Sequence, residues 1–349
     1  MAALEIPGGQ VAVGRGGAIL FSRGFGLTDR EKSIAVQPRT LFRIASISKP
    51  LTAVAVLTLV EDGALSLDGK MLDVLKPDIF LPAGREVDGR LKDITIRHLL
   101  QHTGGWDRDK SGDPMFQSGQ IAKTLGIAAP PATRDVIREV LGRPLDSAPG
   151  ERYAYSNFGF CVLGRIIEKL TGKPYEQFVR ERVLLGIAGP RLGATLTQAE
   201  GEARYYINGD GQTGRPVFPN LPDRVPWPYG GFCLEMMDSH GGWISSAEDI
   251  VRFAMSLDDI GGRSPFKKRE TWDALIAPPP SAKGQRYYGC GFSVRRADDG
   301  ASISHDGSLP GTATYLWRRA DGLTWAVFFN QRTEGKRDSA IVDAMLKAL

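Results

Sequence analysis

Apolar and polar positions along the chain change period twice. Residues 10–14 (QVAVG) and 18–22 (AILFS) are short β-prone runs separated by Arg15-Gly16-Gly17, and together they predict a hairpin. The near-continuous apolar run 51–59 that follows predicts a helix buried on most sides and closing near Gly63. From residue 65 to 230 the pattern is mainly helical, with long connections. Thr95 is placed to cap a helix running through Leu100, and Thr133 to cap one over 134–141. Residues 158–170, closed by Gly172 and Pro174, predict a third helix, and 175–184 a fourth. The stretch 216–228, rich in proline and aromatics, reads as an irregular loop over the site. Ser245 and Glu248 make a capping-box pattern ahead of the apolar residues 250–254. Strand periodicity then returns at 288–294, 302–304, 312–318 and 323–330, the last two joined at Ala320-Asp321-Gly322 as a hairpin. Residues 338–349 close the chain as an amphipathic helix.

Strands at both ends with helices between them imply an α+β fold. An antiparallel sheet flanked by helices would be built from residues 1–64 and 235–349, with 65–234 as an inserted, mainly helical region.

Composition narrows the function. With 42% hydrophobic and 24% charged residues the chain has the make-up of a soluble globular protein, and its 349 residues are an ordinary length for a two-part enzyme. A net charge of +4 and no basic run interleaved with aromatics argue against nucleic acid as a partner. No apolar stretch reaches the ~20 residues of a membrane-spanning helix. Cys161, Cys233 and Cys290 lie far apart, and the four histidines lack paired spacing. Neither a disulfide framework nor a metal or other cofactor is therefore expected. Residues 1–7 do not form a signal peptide, which leaves the compartment open.

Candidate chemistry begins at Ser46-Ile47-Ser48-Lys49, at the mouth of the apolar helix. Ser46 and Lys49 are three residues apart and share one side of a turn. A serine hydroxyl needs a base beside it, and a lysine whose pKa is lowered by burial is such a base. The helix N-terminus adds a dipole end and N–H groups suited to an oxyanion, and Pro50 is tolerated in the first turn. Further along come Tyr155-Ser156-Asn157 and His305-Asp306-Gly307.

In this order the three motifs resemble the signature of the serine β-lactamase and penicillin-binding-protein superfamily: S-x-x-K, then Y/S-x-N, then K/H-x-G. Tyrosine in the second motif is similar to the branch of class C β-lactamases, DD-peptidases, D-aminopeptidases and related esterases. The stretches 42–45 (FRIA), 98–105 (HLLQHTGG) and 241–249 (GGWISSAED) resemble the family as well. The resemblance spans nearly the whole chain and implies an active site in the cleft between the sheet and the helical region.

It also implies roles for individual residues. Ser46 would be the nucleophile that forms an acyl-enzyme, and Lys49 would accept its proton. Tyr155 would pass a proton to the leaving group, aided by the charges of Lys49 and of a protonated His305. Tyr153 is the alternative phenol, but only Tyr155 has an asparagine two residues on. Asn157 would fix Lys49 or a substrate amide oxygen, or cap the following helix. His305-Asp306-Gly307 would lie on an edge strand facing the nucleophile, Gly307 permitting close approach. The Ser308 and Ser46 N–H groups would form the oxyanion hole. His102, His240, Trp106 and Trp243 read as packing and turn residues.

His305 stands where many β-lactamases carry lysine, and it need not be charged near neutral pH. That weakens recognition of a penicillin or peptide carboxylate. The expected activity is a serine hydrolase of carboxylesterase type on small acyl esters, with Phe218, Trp227 and Tyr229 lining an apolar acyl pocket. DD-peptidase, D-aminopeptidase or β-lactamase activity is the alternative. A catalytically silent relative binding peptidoglycan or a protein partner is a third reading. The expected partner is a small ester, amide or peptide; the oligomeric state is left open.

Overall fold

The structure, a computed structural model, describes residues 1, 4–75, 87–207, 213–260, 262–298 and 300–333. The helix expected over 338–349 lies outside the described residues.

The N-terminal hairpin forms as β1 (Gly8–Arg15) and β2 (Ala18–Asp29), turning at Gly16 and Gly17, both with positive φ. A short β3 (Ile34–Ala35) pairs with β2. The C-terminal strands are β4 (Arg286–Tyr288), β5 (Ser293–Ala297), β6 (Gly300–Leu309), β7 (Thr312–Arg318) and β8 (Thr324–Phe329). They join the hairpin in one eight-stranded sheet of order β4-β5-β6-β7-β8-β1-β2-β3, with Val11 of β1 opposite Val327 of β8. Every pairing in it is antiparallel.

Three expectations about this sheet need correction. Residues 288–294 are two strands and a turn rather than one strand. The chain leaves the sheet at Gly289-Cys290-Gly291 to dock on the central helix: a Cβ at Gly291 would lie 2.3 Å from that of Ala53. The strand at 302–304 extends to Leu309 and so carries the whole His305-Asp306-Gly307 motif. Nor is that strand an edge, since β6 sits between β5 and β7. Yet β5 pairs with β6 only as far as Ser304, so His305–Leu309 overhangs it. The backbone past His305 is therefore open on one side, as a docking edge would be.

The apolar run becomes α1 (Ser48–Glu61), buried from Ser48 through Leu59. It packs against α2 (Asn157–Thr171), α3 (Tyr175–Arg182) and the helix Arg269–Leu275. Full burial of each large apolar side chain here contributes about 1.5–3 kcal/mol. Helix α4 (Ala247–Ser256) covers β1 and β8. A separate apolar cluster of Ile6, Val11, Val13, Trp325, Val327 and Phe329 accompanies this main core.

The helix starts are one residue off in two places. Thr133 opens its helix with no side-chain cap, Ala132 preceding it. Ser246 rather than Ser245 caps α4, its hydroxyl accepting the Asp249 N–H at 3.2 Å. Thr95 caps Ile96–Leu100 as expected, its hydroxyl accepting the His98 N–H at 3.1 Å.

Candidate active site

The approach to Ser46 is held by a buried cation. The two-residue strand Phe42–Arg43 pairs with Ile244 and Ser245, and Arg43 is fully buried behind it. Its guanidinium donates to the Pro228 carbonyl at 2.9 Å and the Ala194 carbonyl at 3.1 Å, and lies over the Tyr205 ring. A buried charge with this many partners is costly to disturb, which fixes the segment leading to the nucleophile candidate. Ala45 then adopts φ +49°, a left-handed conformation that costs a non-glycine residue about 1–3 kcal/mol. The strained residue immediately precedes Ser46, which sits in a 3-10 turn (Ala45–Ile47) running into α1.

One turn on, Lys49 is completely buried. Its amine reaches Ser46 Oγ at 3.1 Å, Asn157 Oδ1 at 2.7 Å and the His240 carbonyl at 2.9 Å. Loss of hydration pushes its pKa well below the ordinary lysine value, only partly opposed by Asp113. The geometry decides where a neutral amine would aim its lone pair. Asn157 Oδ1 and the His240 carbonyl can only accept, so they take the two N–H bonds and leave the lone pair for the Ser46 hydroxyl. Asn157 cannot reverse its amide, because its NH2 donates to Asp113 Oδ2 at 2.5 Å. It is not the cap of α2 either. Ser156 is, its hydroxyl accepting the Gly159 N–H at 3.1 Å, which leaves the Asn157 side chain for Lys49.

Tyr155 is the phenol beside Ser46, and its ring lies 4.7 Å from the Lys49 amine. Burial raises its pKa, so it stays a protonated phenol near neutrality. Tyr153, by contrast, is 47% exposed.

The second cation beside Tyr155 is not His305. Burial, then the charge of Lys49, pushes His305 down to about 3. Its Nδ1 faces the Asp306 carbonyl at 2.7 Å and must donate there, so Nε2 accepts from the Tyr288 hydroxyl at 2.8 Å. The histidine is neutral and locked in one tautomer. Arg108 is the cation that lies over the Tyr155 ring, 4.4 Å from its centre. Nothing in the local spacing of Arg108 marks it, because it opens a short helix (Arg108–Ser111) that tertiary packing brings over the phenol.

Gly307 makes the close approach expected of it. A Cβ there would fall 2.3 Å from the Ile44 carbonyl oxygen and 2.1 Å from Thr314 Oγ1. The overhanging half of β6 is thereby pressed against the backbone just before Ser46. Ser308 follows on the same strand, its hydroxyl accepting from Arg332 at 3.3 Å.

Two of the residues read as packing and turn groups serve that role beside the candidate site. His102 lies under Tyr155, ring centres 4.3 Å apart, and accepts the Ser156 N–H at Nδ1. His240 supplies the carbonyl that holds Lys49. Trp106 and Trp243 also serve packing, against Phe158 and Tyr175. The aromatic residues expected to line an acyl pocket make other contacts. The Tyr229 hydroxyl accepts the Tyr205 N–H, Trp227 covers Gly214 and Gly231, and Phe218 packs on the core.

The model of the family described as Beta-lactamase matches residues 1–349. The chain belongs to this family. Among its relatives is the esterase EstB of Burkholderia gladioli, 31% identical and matched over 95% of this chain and 88% of its own. Penicillin-binding protein 4 of Amycolatopsis lactamdurans is 29% identical over 89% of this chain and 77% of its own. The crystal structure of D-amino acid amidase from Ochrobactrum anthropi SV3, complexed with L-phenylalanine, is alike in fold. It superposes with a TM-score of 0.74 at 24% identity, over 99% of this chain and 95% of that one. Family and fold together make the protein a serine hydrolase of the β-lactamase-related superfamily.

Proposed function

We propose that the protein is a carboxylesterase-type hydrolase of small acyl esters acting through an acyl-Ser46 intermediate. The observation that carries this reading is His305, neutral and locked by Tyr288 at the position where a cation would recognise a substrate carboxylate. In the proposed mechanism neutral Lys49 takes the Ser46 proton as Oγ attacks the ester carbonyl. The Ser46 and Ser308 N–H groups receive the oxyanion, with Gly307 letting β6 approach. Tyr155 gives its proton to the departing alkoxide and is reprotonated through Lys49. Water then attacks the acyl carbonyl as Lys49 takes its proton; the bond from the acyl carbon to Ser46 Oγ breaks, Oγ takes that proton back from Lys49, and the carboxylic acid leaves. Asn157 orients Lys49 throughout.

Brief exposure to p-nitrophenyl butyrate, a penicillin and a cephalosporin, each followed by intact-protein mass spectrometry, tests this reading. A transient butyryl adduct with turnover is expected. An adduct from the β-lactams alone would replace the esterase reading with a penicillin-binding or β-lactamase role.

Two substitutions test the assignments further. Tyr155→Phe should lower kcat by roughly 10²–10⁴, while Tyr153→Phe should not. The reverse pattern would move the proton-transfer role to Tyr153. His305→Lys should raise the rate of β-lactam acylation relative to ester cleavage; an unchanged ratio would refute the carboxylate argument.

A further inference from the structure

Beside the site, a groove of about 760 Å³ lies along strands β4 to β6. Its lining includes Tyr153 and Tyr288, whose rings both pack on His102, the residue beneath Tyr155. Tyr288 holds His305, and its ring centre is 6.5 Å from that of Tyr155. The groove thus begins one aromatic ring away from the proposed proton donor. Trp317, Tyr287 and Val294 give it apolar wall.

Its charges are unusual. Arg286 and Arg295 stand directly opposite each other on β4 and β5, both exposed and both lining the groove. Like charges facing each other across a strand pair are destabilising. Lys283, also exposed, adds a third cation at the rim. Among the described residues none of these three has an ion-pair partner. The other charged lining groups are engaged: Arg152 pairs with Asp107 at 2.7 Å, and Glu151 accepts the Ala148 N–H. A larger cleft of about 910 Å³ elsewhere is a contrast, because acidic and basic residues are equally represented in its lining and include the pairs Arg252–Glu248 and Arg318–Asp258. The groove is built with a repulsion that an anion would relieve.

We propose that this groove seats the remote end of the ester substrate, a carboxylate carried on an apolar or aromatic arm. The inference rests on ester hydrolysis at Ser46 and names the substrate class for it. It also reconciles a neutral His305 with an acidic substrate: the carboxylate is read at Arg286 and Arg295, away from the reacting bond.

The test uses p-nitrophenyl half esters of succinic, adipic, suberic and sebacic acids, each beside its methyl-capped, uncharged counterpart. With the longer arms the free acids should be preferred by about tenfold in kcat/KM, expressed in KM and reduced by added salt. The double variant Arg286→Gln, Arg295→Gln should lose that preference and keep wild-type turnover of p-nitrophenyl butyrate. No preference at any arm length, or one that survives the double variant, would overturn the proposal. Calorimetric titration with monomethyl suberate separates this failure from failure of the esterase reading. Saturable binding lost in the double variant supports the groove even if no ester turns over; absence of binding overturns it.

Discussion

Ser46→Ala is expected to form no butyryl adduct and to reduce ester hydrolysis on the order of 10⁶-fold, to the level of the remaining binding groups. The hydroxyl is the only atom removed, and it lies where a neutral Lys49 would direct its lone pair. The rest of the site should persist. Lys49 keeps Asn157 and the His240 carbonyl, Gly307 still rests against Ile44, and Arg43 still anchors the approach. Intact-protein mass spectrometry with a thermal melt checks both halves. A wild-type adduct on the alanine variant would move the nucleophile elsewhere. A collapsed melting curve would make the loss structural, and Ser46→Cys, which keeps a nucleophile of similar size, would then decide between the two.

Lys49→Met carries the second largest effect, a fall in kcat/KM of roughly 10²–10⁴. Methionine fills a similar volume in the dry pocket but cannot take a proton, so acylation loses its base while the nucleophile remains. The pH dependence gives the sharper signature. Burial lowers the Lys49 pKa, so the fraction of neutral amine rises with pH through a value well below the ordinary one for lysine. Wild-type kcat/KM should therefore climb on an acidic limb as pH rises and reach a plateau, and Lys49→Met should lack that limb. His305, at about 3, contributes no limb in the neutral range. A limb retained unchanged in Lys49→Met would assign it to another group.

Local chemistry and turn geometry account for what could be read ahead of the structure. Ser46 and Lys49 share a turn because of their three-residue spacing, and Lys49 is buried because the run after it is apolar on every side. Glycine at 307 is explained by contact rather than by turn geometry, with the Ile44 carbonyl where its Cβ would stand. The errors have equally local causes. Adjacent serines at 245 and 246 offer two equivalent caps, and backbone direction selects the second. At 289–291 the apolar pattern continues while the chain leaves the sheet to pack on α1, and periodicity does not register that departure.

The sequence by itself determined the α+β plan, the three ordered motifs and the family to which they belong. The plan follows from periodicity, which depends on near neighbours, and the family from the resemblance that the ordered motifs carry. Tertiary structure alone decided which groups meet. Arg108 rather than His305 lies over Tyr155, Asp113 fixes the Asn157 amide, Tyr288 locks His305, and Arg286 faces Arg295 across two strands. Each of those contacts joins residues far apart in the chain or on separate strands. Their charge states follow from burial and neighbours, which exist only once the chain has folded.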